Sequence, residues 1–337
     1  LVKILIVEFI TGGGLAAEKV PESLAREGDM MLQALLAELN VLKGLECAVM
    51  LDWRYQNNVS GQTLTKIIVQ ESENFYRVLA RTLPDYDVFW PIAPETDHAL
   101  AEMVRLSAEI GVKYAASCLS AIDLCSDKLA TMNVLKSVLP VPETHSLTVF
   151  TPEFPPAWVV KPIDGAGCEQ TILVSDHQSY RQCLAEIDQP EAFIAQRYVA
   201  GKAISLSVLF KAGQGWLLCC NEQQIKIDDN HFVLMGCRVN SAIDHLASYH
   251  DVIDAIARRI PGLWGYVGID LIETPDNMHV GKHQLRVLEI NPRLTTSYAG
   301  IQAATGINVA EQVLQLFDGE PDMTRLRNEM VTLKLRK

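Results

Sequence analysis

"VLEINPRLTTSYAG", residues 287–300, decides how the chain is read. An acid and an amide, Glu289 and Asn291, stand two positions apart near the end of an apolar strand, and Arg293 follows after a proline. Strand side chains alternate, so Glu289 and Asn291 share one face while Leu288 and Ile290 point into a core. In YVGIDLIE (266–273), Asp270 likewise faces away from Ile269 and Leu271. A hairpin across Thr274–His283 would pair these two strands and bring two carboxylates and an amide oxygen together. Hard oxygen ligands of this kind suit magnesium, which keeps several waters and shares phosphate oxygens. Arg293 offers the same phosphates a planar fork of donors. Any one of these residues alone reads as a solvated group on an exposed sheet; four at this spacing favour a metal and phosphate corner.

Upstream lie pieces that such a corner needs. VVKPIDGAGCEQTILV (159–174) reads as strand, lysine, glycine loop, strand. Lys161 ends the first strand as a point charge. In the loop Asp164–Cys168, Gly165 and Gly167 let backbone N–H groups approach phosphate oxygens. The spacing is neither a dinucleotide fingerprint nor a P-loop, and a plain turn is the other reading. Lys128 in SDKLAT stands near a helix start, where a surface lysine is the ordinary reading. IAQRYVAG (194–201) runs from strand into turn; it is either an edge strand or a segment whose backbone meets an adenine edge.

Outward from these motifs, 337 residues allow two or three domains, and 49% hydrophobic with 21% charged residues is ordinary globular composition. A net charge of −12 argues against nucleic acid or an anionic membrane as partner. No apolar run approaches the ~20 residues of a membrane span. The opening LVKILIV is short for a signal-peptide core and is followed by Glu8 and a glycine run, so a cytoplasmic protein is expected. The eight cysteines form no CxxC pair, which argues against a disulfide frame and against zinc.

Strands at Val2–Val7, Cys47–Leu51, Val88–Pro91 and Val112–Ala116 alternate with helices at Ser23–Leu39, about Thr63–Leu83 and His98–Ile110. That rhythm predicts a parallel sheet covered by helices. It changes near Ser117. A helical stretch carries Cys125–Leu135, and the proline-rich Thr151–Trp158 is a boundary loop. Strands follow at Val159–Lys161, Thr171–Val174, Phe193–Val199 and Ile204–Lys211, then a meander through Arg238, a helix His250–Arg259, and long strands Tyr266–Glu273 and Gln284–Asn291. A helix near His177–Ile187 and two short closing helices complete the reading.

Taken in order, Lys128, the VVKP lysine, the glycine loop, the QRYVAG hinge, Asp270 and EINPR resemble the ATP-grasp superfamily of carboxylate–amine ligases, over about residues 115–300. The resemblance implies a chain of α/β and α+β class, with an ATP-grasp fold preceded by a Rossmann-like parallel-sheet domain. Its divisions would be 1–117, a small subdomain 118–195 with the glycine loop, and a C-terminal subdomain 196–337 with the metal site. It implies ATP and one or two Mg2+ (or Mn2+) as cofactors, and an acyl phosphate that an amine attacks. Lys128, Lys161 and the loop residues Asp164, Gly165 and Gly167 would hold phosphates. Gln196, Tyr198 and Val199 would line the adenine hinge, and Asp270, Glu289 and Asn291 would bind metal. Arg293 would be the catalytic group that steadies charge on the transferring phosphoryl.

Arg197, Ala203 and Cys168 depart from the superfamily's common pattern. Ala203 stands where many relatives carry the glutamate that holds the ribose. EF-x-x-GGG at 8–14, APETD at 93–97, CNEQQI at 220–225 and NPRLTTS together resemble one branch, the tyramine–glutamate ligases of methanofuran-type cofactor biosynthesis. In the first domain, Gly12, Gly13 and Gly14 could receive a carboxylate through backbone N–H groups and Glu8 could hold an ammonium, at a sheet edge where α/β proteins bind ligands. A flexible connection with Glu8 solvated is the alternative. Glu95 stands in an analogous place, or merely opens the next helix. Asn221, Gln224, Thr296 and Ser297 are further candidates for substrate contacts. Small-molecule carboxylate and amine substrates are the expected partners, and a homodimer stays open. So do another amino-acid or dipeptide ligase and a catalytically silent ATP-binding regulator.

Overall fold

In the computed structural model, which describes residues 1–59, 64–165, 167–241, 246–275 and 283–335, the first strand β1 (Val2–Glu8) is buried on both faces. Ile4 and Ile6 belong to one core cluster and Leu5 and Val7 to another. A strand with no solvent face belongs in the middle of a parallel sheet. β1 pairs in parallel with β2 (Leu45–Asp52) and β4 (Val88–Ile92), while β3 (Thr65–Val69) and β5 (Lys113–Tyr114) form the edges, giving the order β3-β2-β1-β4-β5. Helices α1 (Glu22–Asn40), α2 (Phe75–Thr82) and α3 (Ala99–Ile110) run between the strands. The chain winds outward from β1 on one side and resumes at β4 on the other. The crevice beyond the carboxyl ends of β1 and β4 is therefore the topological switch point, where such sheets bind ligands.

One expectation fails here. The stretch read as one helix over Thr63–Leu83 holds strand β3 and only the short helix α2. Thr65, Ile67, Ile68 and Val69 are β-branched, and pairing with β2 takes that run into the sheet. Residues 60–63 lie outside the described residues.

The second sheet has ten strands among the described residues, and its pairs are antiparallel. Its order is β14-β13-β10-β11-β12-β8-β7-β9-β6, with β15 added to β12. The strands are β6 (Thr144–Ser146), β7 (Trp158–Pro162), β8 (Ile172–Val174), β9 (Phe193–Arg197), β10 (Lys202–Lys211), β11 (Gln214–Asp228), β12 (His231–Val239), β13 (Gly265–Pro275), β14 (His283–Asn291) and β15 (Val331–Lys334). Helices α4 (Leu119–Ser126) and α5 (Lys128–Leu135) precede them, and α6 (His177–Glu186) and α7 (Leu246–Arg259) interrupt them. Helices α8 (Tyr298–Thr305) and α9 (Val309–Gln315) lie between β14 and β15. The helix expected over Cys125–Leu135 is broken, because Asp127 leaves helical geometry and caps α5 by accepting from the Ala130 N–H at 2.8 Å. β6 and β15, short and with few fully buried side chains, were not anticipated.

Alternation divides the central strands of this sheet. Leu206, Ile269, Leu271, Val287 and Ile290 join a core with Ile253 and Ile256 of α7. The opposite face carries polar groups in register: Glu289 stands beside Asp270, Asp270 beside Ser205, and Ser205 beside Asn221. The smaller part, β6 to β9 with α6, has its own core around Trp158, Val160, Tyr180 and Phe193. It joins the larger part at β8 and β12 through the single register pair His231–Ile172, flanked by backbone hydrogen bonds from Leu173 N–H to Asn230 and from Phe232 N–H to Thr171.

Candidate active site

A cavity of ≈ 480 Å³ runs between the two sheets. β14 ends at Asn291, and the NPRLTT turn folds back over β13 because position 268 is glycine; a Cβ there would lie 2.5 Å from Thr295 Cγ2. Asp270 and Glu289 are direct cross-strand partners, so the predicted convergence of β13 and β14 is observed, although residues 276–282 of the connection lie outside the described residues. The Asn291 amide donates to Asp270 Oδ2 at 3.4 Å, leaving Asn291 Oδ1 to accept from Arg293 at 3.4 Å. Lys128 Nζ, buried at the start of α5, lies 3.5 Å from Glu289 Oε2 and donates to the Gly165 carbonyl at 2.6 Å. Lys161 is buried at the end of β7 and lines the same cavity.

The electrostatics follow from this crowding. Burial, then the charge of Glu289, raises the Asp270 carboxyl well above the usual carboxylate range. Burial pushes Glu289 the same way, but the Lys128 and Lys161 ammoniums outweigh it and hold Glu289 below its ordinary value. Burial lowers the ammonium pKa of Lys161, with Glu289 opposing. Two facing carboxylates with an amide oxygen at their side call for a proton or a cation between them. The donor set fits Mg2+, since two carboxylates and an amide offer hard oxygens only.

Arg293 is held from the first sheet. Glu95 Oε2 accepts from its Nε and lies 2.9 Å from its second terminal nitrogen, while Arg293 also donates to the Leu294 carbonyl at 3.2 Å. Glu95, expected to meet substrate, is thus a buried counter-ion to Arg293. The neighbouring residues grip the glycine loop: Thr96 donates to the Asp164 carbonyl and the Asp97 N–H to Asp164 Oδ2, each at 3.2 Å. Asp164 is therefore turned toward the 95–97 loop and lies outside the cavity lining, whereas Gly165, Gly167 and Cys168 are part of it. Ala166 lies outside the described residues. Burial, with the charges of Glu289 and Asp270, drives the Cys168 thiol up to about 12 and disfavours the thiolate.

At the other end, Gln196, Tyr198 and Val199 line the cavity beside an apolar slot of Val159, Leu234, Ile272 and Leu288. Gln196 donates to Thr144 at 3.1 Å. Ala203 is there too, and Glu222 of the next strand reaches the lining, held by Lys202 at 3.1 Å and Arg238 at 3.5 Å. Gln223, which donates to Asp270 Oδ1 at 2.9 Å, was missed along with Glu222. CNEQQI offers five polar or thiol side chains in six positions, and only strand parity with Asp270 separates Gln223 from Gln224.

Other expected substrate residues divide. Thr296 and Ser297 line the cavity; Ser297 shares a buried hydroxyl network with Ser207, Thr295 and Tyr266. Asn221 does not reach it. Its amide is spent on Ser205 and Ser207, and its oxygen accepts from the Asn240 N–H, so it ties three strands together. Gly12, Gly13 and Gly14 also stay outside the lining. A Cβ would meet the Glu8 carbonyl, Val69 and the Phe9 ring respectively, so close packing requires them. Glu8 lines the cavity but is neither solvated nor idle: it accepts from the Ile10 N–H, the Thr11 N–H and the Thr11 hydroxyl at 3.1, 2.7 and 2.6 Å.

The sequence of such a chain matches known families. Residues 125–297 match the ATP-grasp domain and residues 45–122 a pre-ATP-grasp domain. The tyramine–L-glutamate ligase of Methanocaldococcus jannaschii is 24% identical over 341 residues, covering 99% of this chain and 97% of that one. Its counterpart in Methanocaldococcus fervens is 25% identical, covering 94% of both. A solved ATP-grasp superfamily protein of Archaeoglobus fulgidus superposes with a TM-score of 0.74 at 23% identity, over 99% of this chain and 92% of that one. The chain belongs to the ATP-grasp family and is an enzyme of its ADP-forming ligase class.

Proposed function

We propose that the chain joins glutamate to an aromatic amine such as tyramine, driving amide formation with ATP through an acyl phosphate. The observation that carries this reading is the pairing of Asp270 with Glu289 beside Lys128, Lys161 and Arg293, in one cavity that also opens onto the switch point of the first sheet. The near full-length likeness to tyramine–glutamate ligases supports the choice of substrates.

The adenine would lie in the slot of Val159, Leu234, Ile272 and Leu288, its edge against the Gln196–Val199 hinge, with Glu222 taking the ribose hydroxyls in place of the absent acid at Ala203. Lys128, Lys161 and the N–H groups of the glycine loop would hold the phosphates. Asp270, Glu289 and Asn291 would hold Mg2+, which when bound neutralises the terminal phosphates. A substrate carboxylate oxygen then attacks the γ-phosphorus and ADP leaves; the amine nitrogen attacks the acyl carbon, phosphate leaves, and the nitrogen gives up a proton. Arg293, fixed by Glu95, points a preorganised cation at the charge that develops in both steps, the term that dominates phosphoryl transfer. In this scheme the nucleotide would lie between the β6–β9 part and the larger part of the second sheet; α4 and α5, placed by the 118–195 division in the small subdomain, pack with the larger part instead.

The test is ADP release from purified protein supplied with ATP, Mg2+, L-glutamate and tyramine. Release that needs both substrates is expected. Release that ignores either one, or none with a broad panel of acids and amines, contradicts the proposal.

A further inference from the structure

Asp270 is gripped from two sides. The Gln223 amide donates to its Oδ1 at 2.9 Å and the Asn291 amide to its Oδ2 at 3.4 Å. Asn291 belongs to β14, which pairs directly with β13. Gln223 belongs to β11, and the whole of β10 lies between β11 and β13. Two strand spacings are about 9.5 Å, so Gln223 reaches Asp270 only by leaning across β10. What it crosses is small. Ala203 pairs with Ile272 and Ser205 with Asp270, and one position past the register pair Ile204–Glu222 brings Gln223 opposite Ala203. Ala203, Ser205, Gln223 and Asp270 all line the cavity, so the four share its face. A longer side chain at 203 would stand in the path. The alanine at 203 and the Gln223–Asp270 bond are thus two halves of one arrangement.

We infer that Gln223 is a positioning residue for the metal corner: it holds the Asp270 carboxylate in the orientation that faces Glu289, and the alanine at 203 clears its way. The inference rests on the metal-binding part of the reading above and assigns the residue that aims one of its ligands. The second torsion of an aspartate is broad and roughly two-fold, and one donor on each oxygen confines it to a single setting. Neutral donors suit the task. An amide orients a carboxylate without cancelling its charge, whereas an ammonium takes up part of the charge that a cation would meet. Glu289 has the Lys128 ammonium 3.5 Å away. Asp270 has an amide on each oxygen, so its hydrogen bonds leave its charge available to the cation. Groups that orient a metal ligand in this way typically carry roughly tenfold to a hundredfold in metal affinity.

The test uses the full chain and reads the metal directly, by electron paramagnetic resonance of Mn2+ in the presence of a non-hydrolysable ATP analogue. Gln223→Met keeps the length and loses the donor. Gln223→Asn keeps the amide but is one methylene too short to span β10. Both variants should raise the Kd for Mn2+ roughly tenfold to a hundredfold, with the melting temperature and the affinity for the analogue at saturating Mn2+ little changed. Turnover lost at low Mg2+ should return at high Mg2+. An unchanged Kd for Mn2+ in either folded variant overturns the inference, and so does a deficit that excess metal leaves in place. A weaker hold on the analogue at saturating metal also overturns it, since Gln223 would then be a nucleotide contact. Failure of the ligase reading looks different: wild type binds Mn2+ and the analogue but condenses no acid with any amine, and the comparison of Kd values still decides. Wild type that binds no Mn2+ overturns the metal corner and this inference together.

Discussion

Asp270 and Glu289 face each other from adjacent strands, and this pair distinguishes the site from a sheet with acids on its surface. Glu289→Gln removes one negative oxygen donor while keeping size, so Mg2+-dependent turnover should fall by about two orders of magnitude or more with the melting temperature little changed; steady-state kinetics over a Mg2+ series with thermal denaturation checks it. Arg293→Lys keeps the charge but loses the fork that grips Glu95, and a fall in kcat of about a hundredfold is expected, with KM for ATP nearly constant. Asp270, Glu289 and Asn291 were legible in the sequence because strand alternation puts them on one face; Leu288, expected in the core, instead lines the cavity beside Glu289 because the β13–β14 register shifts there. Asn221 and Gln223 share that parity, yet one is a buried strand tie and the other a neighbour of Asp270. Depth along a strand is set by what covers it, and no local pattern records that. For a related reason the partners of Glu95 and Asp164 could not be read beforehand: Arg293 and the 96–97 loop lie 198 and about 67 residues away in the chain.

Helices carry two further consequences. α5 starts at Lys128 only because Asp127 caps it, so Asp127→Ala should cost about 1 kcal/mol of stability and, by loosening Lys128, raise KM for ATP; chemical denaturation and kinetics read the two effects. α1 is bound to α8 and α9 by Glu38, which accepts from the Tyr298 hydroxyl and the Ala310 N–H, both at 2.7 Å. Burial raises this carboxyl from 4.5 to about 7. The folded state therefore holds the proton more tightly than the unfolded chain, so Glu38's stabilising contribution is full below about pH 4.5 and is lost as pH rises through about 7. Melting temperatures of wild type and Glu38→Gln should converge near pH 4.5 and separate above it, the variant being the more stable at pH 8 by up to ~3 kcal/mol. A gap that stays constant with pH contradicts the assignment. Among elements, long alternating strands such as β10 and β13 were readable. β3 was not, because a five-residue run with four β-branched residues next to a helix falls in the ambiguous zone between the two periods.

The whole molecule is two sheets that share one cavity, with α1 between the first sheet and the helices that follow β14. Strand–helix alternation followed by a long antiparallel run made that class visible beforehand. The seam at β8 and β12 and the clasp of Thr96 and Asp97 on Asp164 were invisible, since both are made by the meeting of distant segments. A nucleotide held between the two parts of the second sheet should stabilise the fold by about 2.7 kcal/mol at a hundred times its Kd; the Mg2+-dependent share should vanish in Glu289→Gln when followed by thermal shift. The most direct test of the central claim is the fate of oxygen-18 in the carboxylates of glutamate during ATP-driven condensation with tyramine. Acyl transfer at the Asp270–Glu289 corner predicts one labelled oxygen in the released phosphate for each amide formed. Amide formed with unlabelled phosphate, or ATP bound and never turned over with any acid and amine, would contradict it.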